Sequence, residues 1–257
     1  MINRAIIIDG NRWGQRLREH LNKPPLGVGN WLRQRSRLIK DEPAQIVGLV
    51  ELRRRPCYLK LYRGRSPVLQ LLCLLRLGRP MSSYRAGLKL AARGVPVPRP
   101  FSCVLVFEGV LLLTEGFPEA GDYTRLWQAG PGRERALEMM RAAGETIAGI
   151  HAAGYTHGDC KWNNLVWSEQ TCFLVDLDGA RRPLFGAARR RARDIARFVI
   201  SAEEAGVSTG LLDEFLDSYL RRSGEDRDKL LKRMQPHLTK LRHRHRERCG
   251  VESQPLL

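Results

Sequence analysis

The sequence predicts an α+β protein in two parts, an antiparallel β-rich N-terminal part over residues 1–115 and a mainly helical C-terminal part over 116–257. Three observations predict it. Strand-length apolar runs in the N-terminal part come in pairs split by turn residues: 44–52 and 57–62 around Arg53-Arg54-Arg55-Pro56, then 102–107 and 110–114 around Glu108-Gly109. In the C-terminal part apolar residues recur three and four apart, as Ala136, Leu137, Met140, Ala143, Ile147 and Ile150 do within 133–153. With 257 residues, 43% of them hydrophobic, the chain can bury two cores.

Composition bounds the partners. A net charge of +17 attracts polyanions, whether nucleic acid, anionic lipid headgroups or phosphorylated glycans. The six cysteines form no C-x-x-C pair and no metal-ligand spacing, and several sit in apolar runs. Free, mostly buried thiols in a reducing compartment are expected. The apolar run 5–8 stops at Asp9-Gly10, too short for a signal peptide. The most apolar window, 68–77, is interrupted by Arg76 and is far below spanning length. A soluble, cytoplasmic protein held at a membrane surface is expected.

Along the chain, residues 1–40 are basic, with Trp13 and Trp31 on short helices broken at Pro24-Pro25. Residues 26–30 read as a loop, and its two glycines as a turn rather than a phosphate cradle. Residues 64–80 are basic and leucine-rich. A helix over 82–92 ends at Gly94, and Val95-Pro96-Val97-Pro98 is an extended connector. Residues 118–132 form a loop with a helical piece at 123–128. His151 and Gly154 close helix 133–153, with His151 as a packing residue. Beyond Gly179 the chain is intensely basic, and Asp194 opens and caps a helix over 194–205. Amphipathic helices follow at 209–222 and 225–248. Leu230, Leu231, Met234 and Leu238 give the last one an apolar side that either docks on the C-terminal part or touches lipid.

The chemistry lies at His157-Gly158-Asp159-Cys160-Lys161-Trp162-Asn163-Asn164, followed by Val175-Asp176-Leu177-Asp178. Phosphoryl transfer needs a carboxylate for the attacking hydroxyl, plus an amide and a second carboxylate to hold Mg²⁺ against nucleotide phosphates. Asp159, Asn164 and Asp176 have that form. Lys161 is close enough to neutralise the phosphoryl group in flight. A strand at 165–167, a turn at 168–171 and a strand at 172–177 would bring Asn164 and Asp176 to neighbouring strand ends.

This pattern resembles the catalytic loop and metal segment of the protein-kinase-like superfamily, in its small-molecule branch. The resemblance implies a two-lobed fold, a small antiparallel β N-lobe and a mainly helical C-lobe, with ATP and Mg²⁺ as cofactors. It makes Lys60 the phosphate-anchoring lysine, Glu115 and Phe117 part of the adenine-binding hinge, and His157 a support beneath the loop. Asp178 either assists at the metal or hydrogen-bonds the loop. Asp194 reaches back to the loop backbone. The glutamate that normally pairs with the strand lysine is missing: no acidic residue occurs between Glu51 and Glu108, and its position falls near Ser83. Eighteen positions separate Asp176 from Asp194 and no A-P-E follows, which suits a small or glycan acceptor rather than a peptide.

The run Tyr58 to Gly64, the Gly94-Val95-Pro96-Val97-Pro98 connector, Cys160 after Asp159, and Asp176-Leu177-Asp178 are similar to those of bacterial lipopolysaccharide core kinases. That family implies a lipid-linked core oligosaccharide, with heptose or Kdo as acceptor sugar, met at an anionic membrane surface on the cytoplasmic face of the inner membrane. Two other readings stand beside it. One is a kinase of another small-molecule or glycan acceptor, although the arginine-rich C-terminal part speaks against a cationic one. The other is a non-catalytic, kinase-shaped binder of anionic lipid or glycan, favoured by the missing glutamate and opposed by the intact Asp159, Lys161, Asn164 and Asp176. Nucleic acid is not expected, because no helix-turn-helix, zinc or aromatic RNA-binding signature is present.

Overall fold

The computed structural model describes residues 5–21, 27–64, 66–249 and 255–257. The expected break at Pro24-Pro25 lies outside the described residues. The chain forms two compact units, one of residues 1–91 and 98–118 and one of 92–97 and 119–257.

The first unit contains β1 (Ile6–Asp9), α1 (Asn11–Leu21), α2 (Val28–Arg35), β2 (Arg37–Glu42), β3 (Gln45–Leu52), β4 (Arg55–Arg63), α3 (Pro67–Leu74), α4 (Arg79–Ala91), β5 (Pro100–Val106) and β6 (Gly109–Glu115). Its six strands form one antiparallel sheet in the order β1-β5-β6-β4-β3-β2. The two edge strands were not expected. β1 offers only four residues, and β2 is RLIKDE, whose charges mask its period; charged edges discourage pairing with another chain. The β3–β4 turn is made by Arg53 and Arg54 at φ 51° and 62°, the left-handed pair a tight hairpin requires.

Strand alternation gives the sheet two cores. On one face Cys57, Leu59 and Leu61 of β4 pack with Leu17, Leu32 and Val50, so α1 and α2 cover that side. On the other, Tyr62, Cys103 and Leu112 pack with Cys73 of α3 and with Met81 and Tyr84 of α4. α2 already begins at Val28, so 28–30 is helical rather than looped. Its first turn is held by Glu108, whose Oε2 accepts the Gly29 N–H at 2.7 Å. α4 starts at Arg79, earlier than 82.

The second unit contains β7 (Gly121–Asp122), α5 (Tyr123–Gln128), α6 (Arg133–Ala152), β8 (Leu165–Ser168), β9 (Thr171–Leu174), α7 (Ala187–Glu204), α8 (Thr209–Ser223) and α9 (Arg227–Cys249). β7, β8 and β9 form a small antiparallel sheet. Asp122 caps α5 by accepting the Arg125 N–H at 3.0 Å. α6 crosses α8 at Gly144, where a Cβ would lie 2.4 Å from the Phe215 carbonyl oxygen; only glycine allows that approach. Phe215 in turn stacks on Phe198 of α7 at 3.8 Å.

One helix reading needs correction, and one open choice is decided. α7 begins at Ala187, so Asp194 is an interior residue and not a cap. The alanines and arginines of 187–193 are good helix formers and extend the helix backwards past the aspartate. α9 buries Leu230, Met234 and Leu238 within its own unit, packed on α7, so this side faces protein rather than lipid. Cys57, Cys73, Cys103, Cys160 and Cys172 are free and buried. Among the described residues no helix is long and apolar enough to cross a membrane.

Candidate active site

The site is built on a backbone clasp. Thr156 and Arg181 exchange N–H···O=C bonds at 2.9 and 3.0 Å, closing the segment between them into one body. Inside it the 157–158 and 177–179 backbones touch: a Cβ on Gly179 would sit 2.9 Å from the His157 carbonyl oxygen, and Gly158 holds φ +86°. His157 is fully buried. Its Nε2–H donates to the Val175 carbonyl at 2.9 Å, and its Nδ1 accepts the Asp159 N–H at 3.3 Å. A carbonyl can only accept, so the partners select the neutral Nε2–H tautomer.

Asp194, also fully buried, anchors the loop from below. Its Oδ2 accepts the His157 N–H at 2.7 Å and its Oδ1 the Gly158 N–H at 2.8 Å. The expected reach to the loop backbone is therefore present, although the capping role is not. His151 Nε2 lies 3.3 Å from the same Oδ2, while its Nδ1 lies 3.0 Å from the Tyr219 hydroxyl. Burial pushes the His151 pKa down, against the pull of Asp194. The ring is neutral at pH 7 and joins Asp194 to α8.

Beyond Gly158 the side chains alternate. Cys160 and Trp162 point inward, Trp162 against Tyr123, Trp127 and Phe198. Asp159 and Lys161 are left partly exposed. Asn164 donates from Nδ2 to the Asp159 carbonyl at 2.9 Å and to its Oδ2 at 3.1 Å. Lys161 Nζ lies 3.4 Å from the same Oδ2, and the Arg197 guanidinium donates to Oδ1. Burial raises the Asp159 pKa, but Arg197 and Lys161 outweigh it and hold the carboxyl below the usual carboxylate range. Such a group is anionic at neutral pH and a weak base, better at orienting a hydroxyl than at stripping its proton early.

Arg197 was missed from the sequence. It sits on α7 three positions after Asp194, and so on the same face. That spacing was the available signal, but the neighbouring run Arg189-Arg190-Arg191-Ala192-Arg193 makes one more arginine look like solvated surface.

The β8–β9 hairpin forms with Leu165 opposite Leu174, and the Val175 N–H donates to the Asn164 carbonyl at 3.0 Å. β9 ends at Leu174, shorter than the expected 172–177, because Asp176 turns left-handed (φ 58°, ψ 59°) into a 3₁₀ turn over Leu177–Gly179. A non-glycine residue there is strained by about 1 kcal/mol, and such strain collects at functional sites. Asp176 is exposed and Asp178 partly so. The Asn164 amide oxygen and the Asp176 carboxylate are hard ligands at adjacent strand ends. That donor set fits Mg²⁺, which takes one or two protein oxygens and completes its shell with phosphates and water. Among the described residues no group of three His, Cys, Asp or Glu could hold a metal by itself.

The remaining expected residues lie in the first unit. Lys60 is on β4, with Nζ 4.6 Å from the Tyr62 ring centroid. Glu115 ends β6; its N–H donates to the Arg99 carbonyl at 2.8 Å and its Oε2 accepts the Arg99 N–H at 3.4 Å. The Gly116 N–H bonds the Pro56 carbonyl, and the Phe117 carbonyl accepts the Tyr58 hydroxyl at 3.1 Å. Ser83, at the position of the missing glutamate, is buried. A carboxylate does reach α4 from β1: Asp9 Oδ1 accepts the Tyr84 hydroxyl at 3.4 Å. It does not replace the glutamate, because Asp9, Cys103, Leu112 and Lys60 lie in one cross-strand row, which puts Asp9 three strands, roughly 14 Å, from Lys60.

Beside the loop a cavity of about 530 Å³ is lined in part by Tyr155, Thr156, Arg182, Leu184 and Arg191. Its wall carries two guanidinium groups and no carboxylate.

Comparison with known proteins gives a fold and a family. A search of curated proteins finds no match. Among solved structures the chain is similar to one described as WaaP in complex with acyl carrier protein, with 17% identity, a TM-score of 0.60, and 93% of this chain and 99% of that one covered. The likeness establishes the fold, an antiparallel six-stranded sheet unit followed by a helical unit. The profile of the lipopolysaccharide kinase (Kdo/WaaP) family matches residues 33–219, which take in strands β2 to β6, the 156–181 loop with the β8–β9 hairpin, α7 and most of α8. The chain belongs to the lipopolysaccharide kinase (Kdo/WaaP) family.

Proposed function

We propose that the protein transfers the γ-phosphate of ATP to a hydroxyl of an inner-core lipopolysaccharide sugar, heptose or Kdo, at the cytoplasmic face of the inner membrane. The observation that carries this reading is the grip on Asp159: one carboxylate, kept ionised by Arg197 and Lys161 and bridged by Asn164 to the hairpin that bears Asp176.

In this reading Asp159 orients the acceptor hydroxyl in line with the γ-phosphate and accepts its proton as the new oxygen–phosphorus bond forms and the bond from the γ-phosphorus to the β–γ bridging oxygen breaks, with ADP as the leaving group. Lys161 neutralises the charge spread over the transferring group. Mg²⁺, when bound, would be held by Asn164 and Asp176, assisted by Asp178, and would supply charge neutralisation on the nucleotide phosphates. Lys60 anchors those phosphates, while the backbone around Glu115 and Phe117 meets the adenine. Positioning and electrostatics supply most of the rate. The arginines of the cavity beside the loop suit an acceptor that already carries phosphate or carboxylate, and the charge of +17 suits an anionic membrane.

The test is incubation with γ-labelled ATP and Mg²⁺, offering extracted core lipopolysaccharide, soluble heptose or Kdo, and an aminoglycoside in parallel. Label on the core alone supports the reading, and mass spectrometry of the released sugars names the acceptor. Label on the aminoglycoside alone, or on none with nucleotide bound, refutes it.

A further inference from the structure

α3 is built the wrong way round for a water-soluble helix. Val68, Leu71, Leu72 and Leu75, the last at its C-cap, are spaced i, i+3, i+4 and i+7, the stripe that normally faces a core. Here the stripe faces water: the four are 65%, 57%, 37% and 60% exposed. Leu74 and Leu77 at its flank are 45% and 49% exposed. The helix meets its own unit through Cys73, which is fully buried in the core with Met81 and Cys103. Six large apolar side chains are thus exposed on one short segment, four of them in one stripe, and exposed apolar surface gathered in this way marks a binding surface.

The surroundings say what covers it. From residue 52 to 107 the sequence has no Asp or Glu and twelve Lys and Arg. Of these, Arg76, Arg79, Arg85 and Lys89 lie on or beside α3 and α4 and are exposed. Arg76 also contacts Asp9 at 3.7 Å. An apolar face with Arg76, Arg79, Arg85 and Lys89 around it and Asp9 as the acid paired to Arg76 carries a net positive rim, complementary to an anionic lipid bilayer, with acyl chains for the leucines and headgroup phosphates for the arginines. A face made for a second protein usually mixes both signs in its rim. α9, the arginine-rich helix with an apolar side, has spent that side on α7 and is not available for this task.

We infer that the outward face of α3, Val68 to Leu77, is the surface by which this protein docks on an anionic membrane. The inference deepens the proposed function, since it supplies the contact a lipid-linked acceptor demands. It does not need phosphoryl transfer to be correct.

The experiment is flotation of the full chain, without nucleotide, with vesicles of phosphatidylcholine alone or mixed with phosphatidylglycerol. Binding to the mixed vesicles is expected, and should weaken with salt. L71E combined with L75E should lower the partition coefficient roughly tenfold or more, with an unchanged melting temperature. Retention of full binding by that variant would overturn the proposal. Leu75→Trp is a second reading that needs no loss of binding: its emission should shift to the blue with anionic vesicles and be quenched by brominated lipid. An unshifted, unquenched tryptophan on a bound protein overturns it too. So does a parent that ignores vesicles but forms dimers that the L71E/L75E variant cannot form. Because no ATP is present, a failed kinase assay leaves this result untouched, and failed docking leaves the kinase assay standing.

Discussion

The 156–181 loop and the outer face of α3 depart from ordinary protein chemistry in opposite directions. The loop rests on a carboxylate and imidazoles taken out of water: Asp194 and His157 are fully buried, and His151 nearly so. α3 holds leucines out in water. Neither arrangement is what folding alone favours, since buried charge costs desolvation and exposed leucine forgoes burial. The loop recovers its cost internally, because each Asp194 oxygen accepts a backbone N–H. The α3 face recovers nothing within the chain. An internally compensated oddity marks a site that must be held rigid, whereas an uncompensated one marks a surface waiting for another phase or molecule.

Substitutions should separate the two. Asp194→Ala strips the acceptors from two N–H groups at a buried place and should cost about 3–5 kcal/mol. Urea unfolding checks it, and a loss below 1 kcal/mol would mean the loop does not depend on that anchor. Arg197→Gln should lower turnover roughly 10- to 100-fold, since one of the two cations on the Asp159 carboxylate is gone. The sign on the pH profile is fixed. Arg197 holds the Asp159 pKa down, so its removal raises it, and the acid limb of kcat/KM moves to higher pH. An unmoved limb would separate Arg197 from the acid–base group.

A smaller effect comes from His151. Burial lowers its folded-state pKa below the unfolded value of about 6.5, so protons favour the unfolded chain. Its contribution to stability is present above that value and lost as pH falls toward the folded-state pKa. The melting temperature should therefore drop between about pH 7 and pH 5, and less steeply in His151→Gln. His237, also lowered by burial and by Arg189 and Arg193, contributes part of the remaining slope. The smallest effect belongs to the other region. Leu71→Ser with Leu75→Ser should change stability by no more than about 0.5 kcal/mol, because neither leucine is packed. A loss of 2 kcal/mol or more would show that α3 is core after all.

How much the sequence revealed follows the same division. The placing of Asn164 and Asp176 at the two ends of one hairpin, with Asp159 bonded to Asn164, is legible because chain spacing alone brings it about: five residues of loop, two short strands and a turn leave little freedom. Lys161 is legible for the same reason. Arg197 and the interior position of Asp194 are not, since both depend on where α7 begins, and an arginine-rich stretch carries no period to show it. β1 and β2 escaped notice because edge strands are short or charged. α3 and α9 teach the sharper lesson: both are leucine-bearing helices in basic stretches of the chain, yet one displays its apolar side and the other buries it. Periodicity states that a helix has a face, not what the face meets.

The most direct test of the site is to separate holding the nucleotide from using it. Purified parent, Asp159→Asn and Asp176→Asn should be melted with ATP, with and without Mg²⁺, and the same samples assayed for label transfer to core lipopolysaccharide. The parent should be stabilised by Mg²⁺-ATP and transfer label. Asp159→Asn should keep the stabilisation and lose transfer by roughly a thousandfold or more, while Asp176→Asn should lose both. Transfer by Asp159→Asn at the parental rate, or loss of its nucleotide binding with the fold intact, would contradict the assignment of Asp159 as the residue that positions the acceptor.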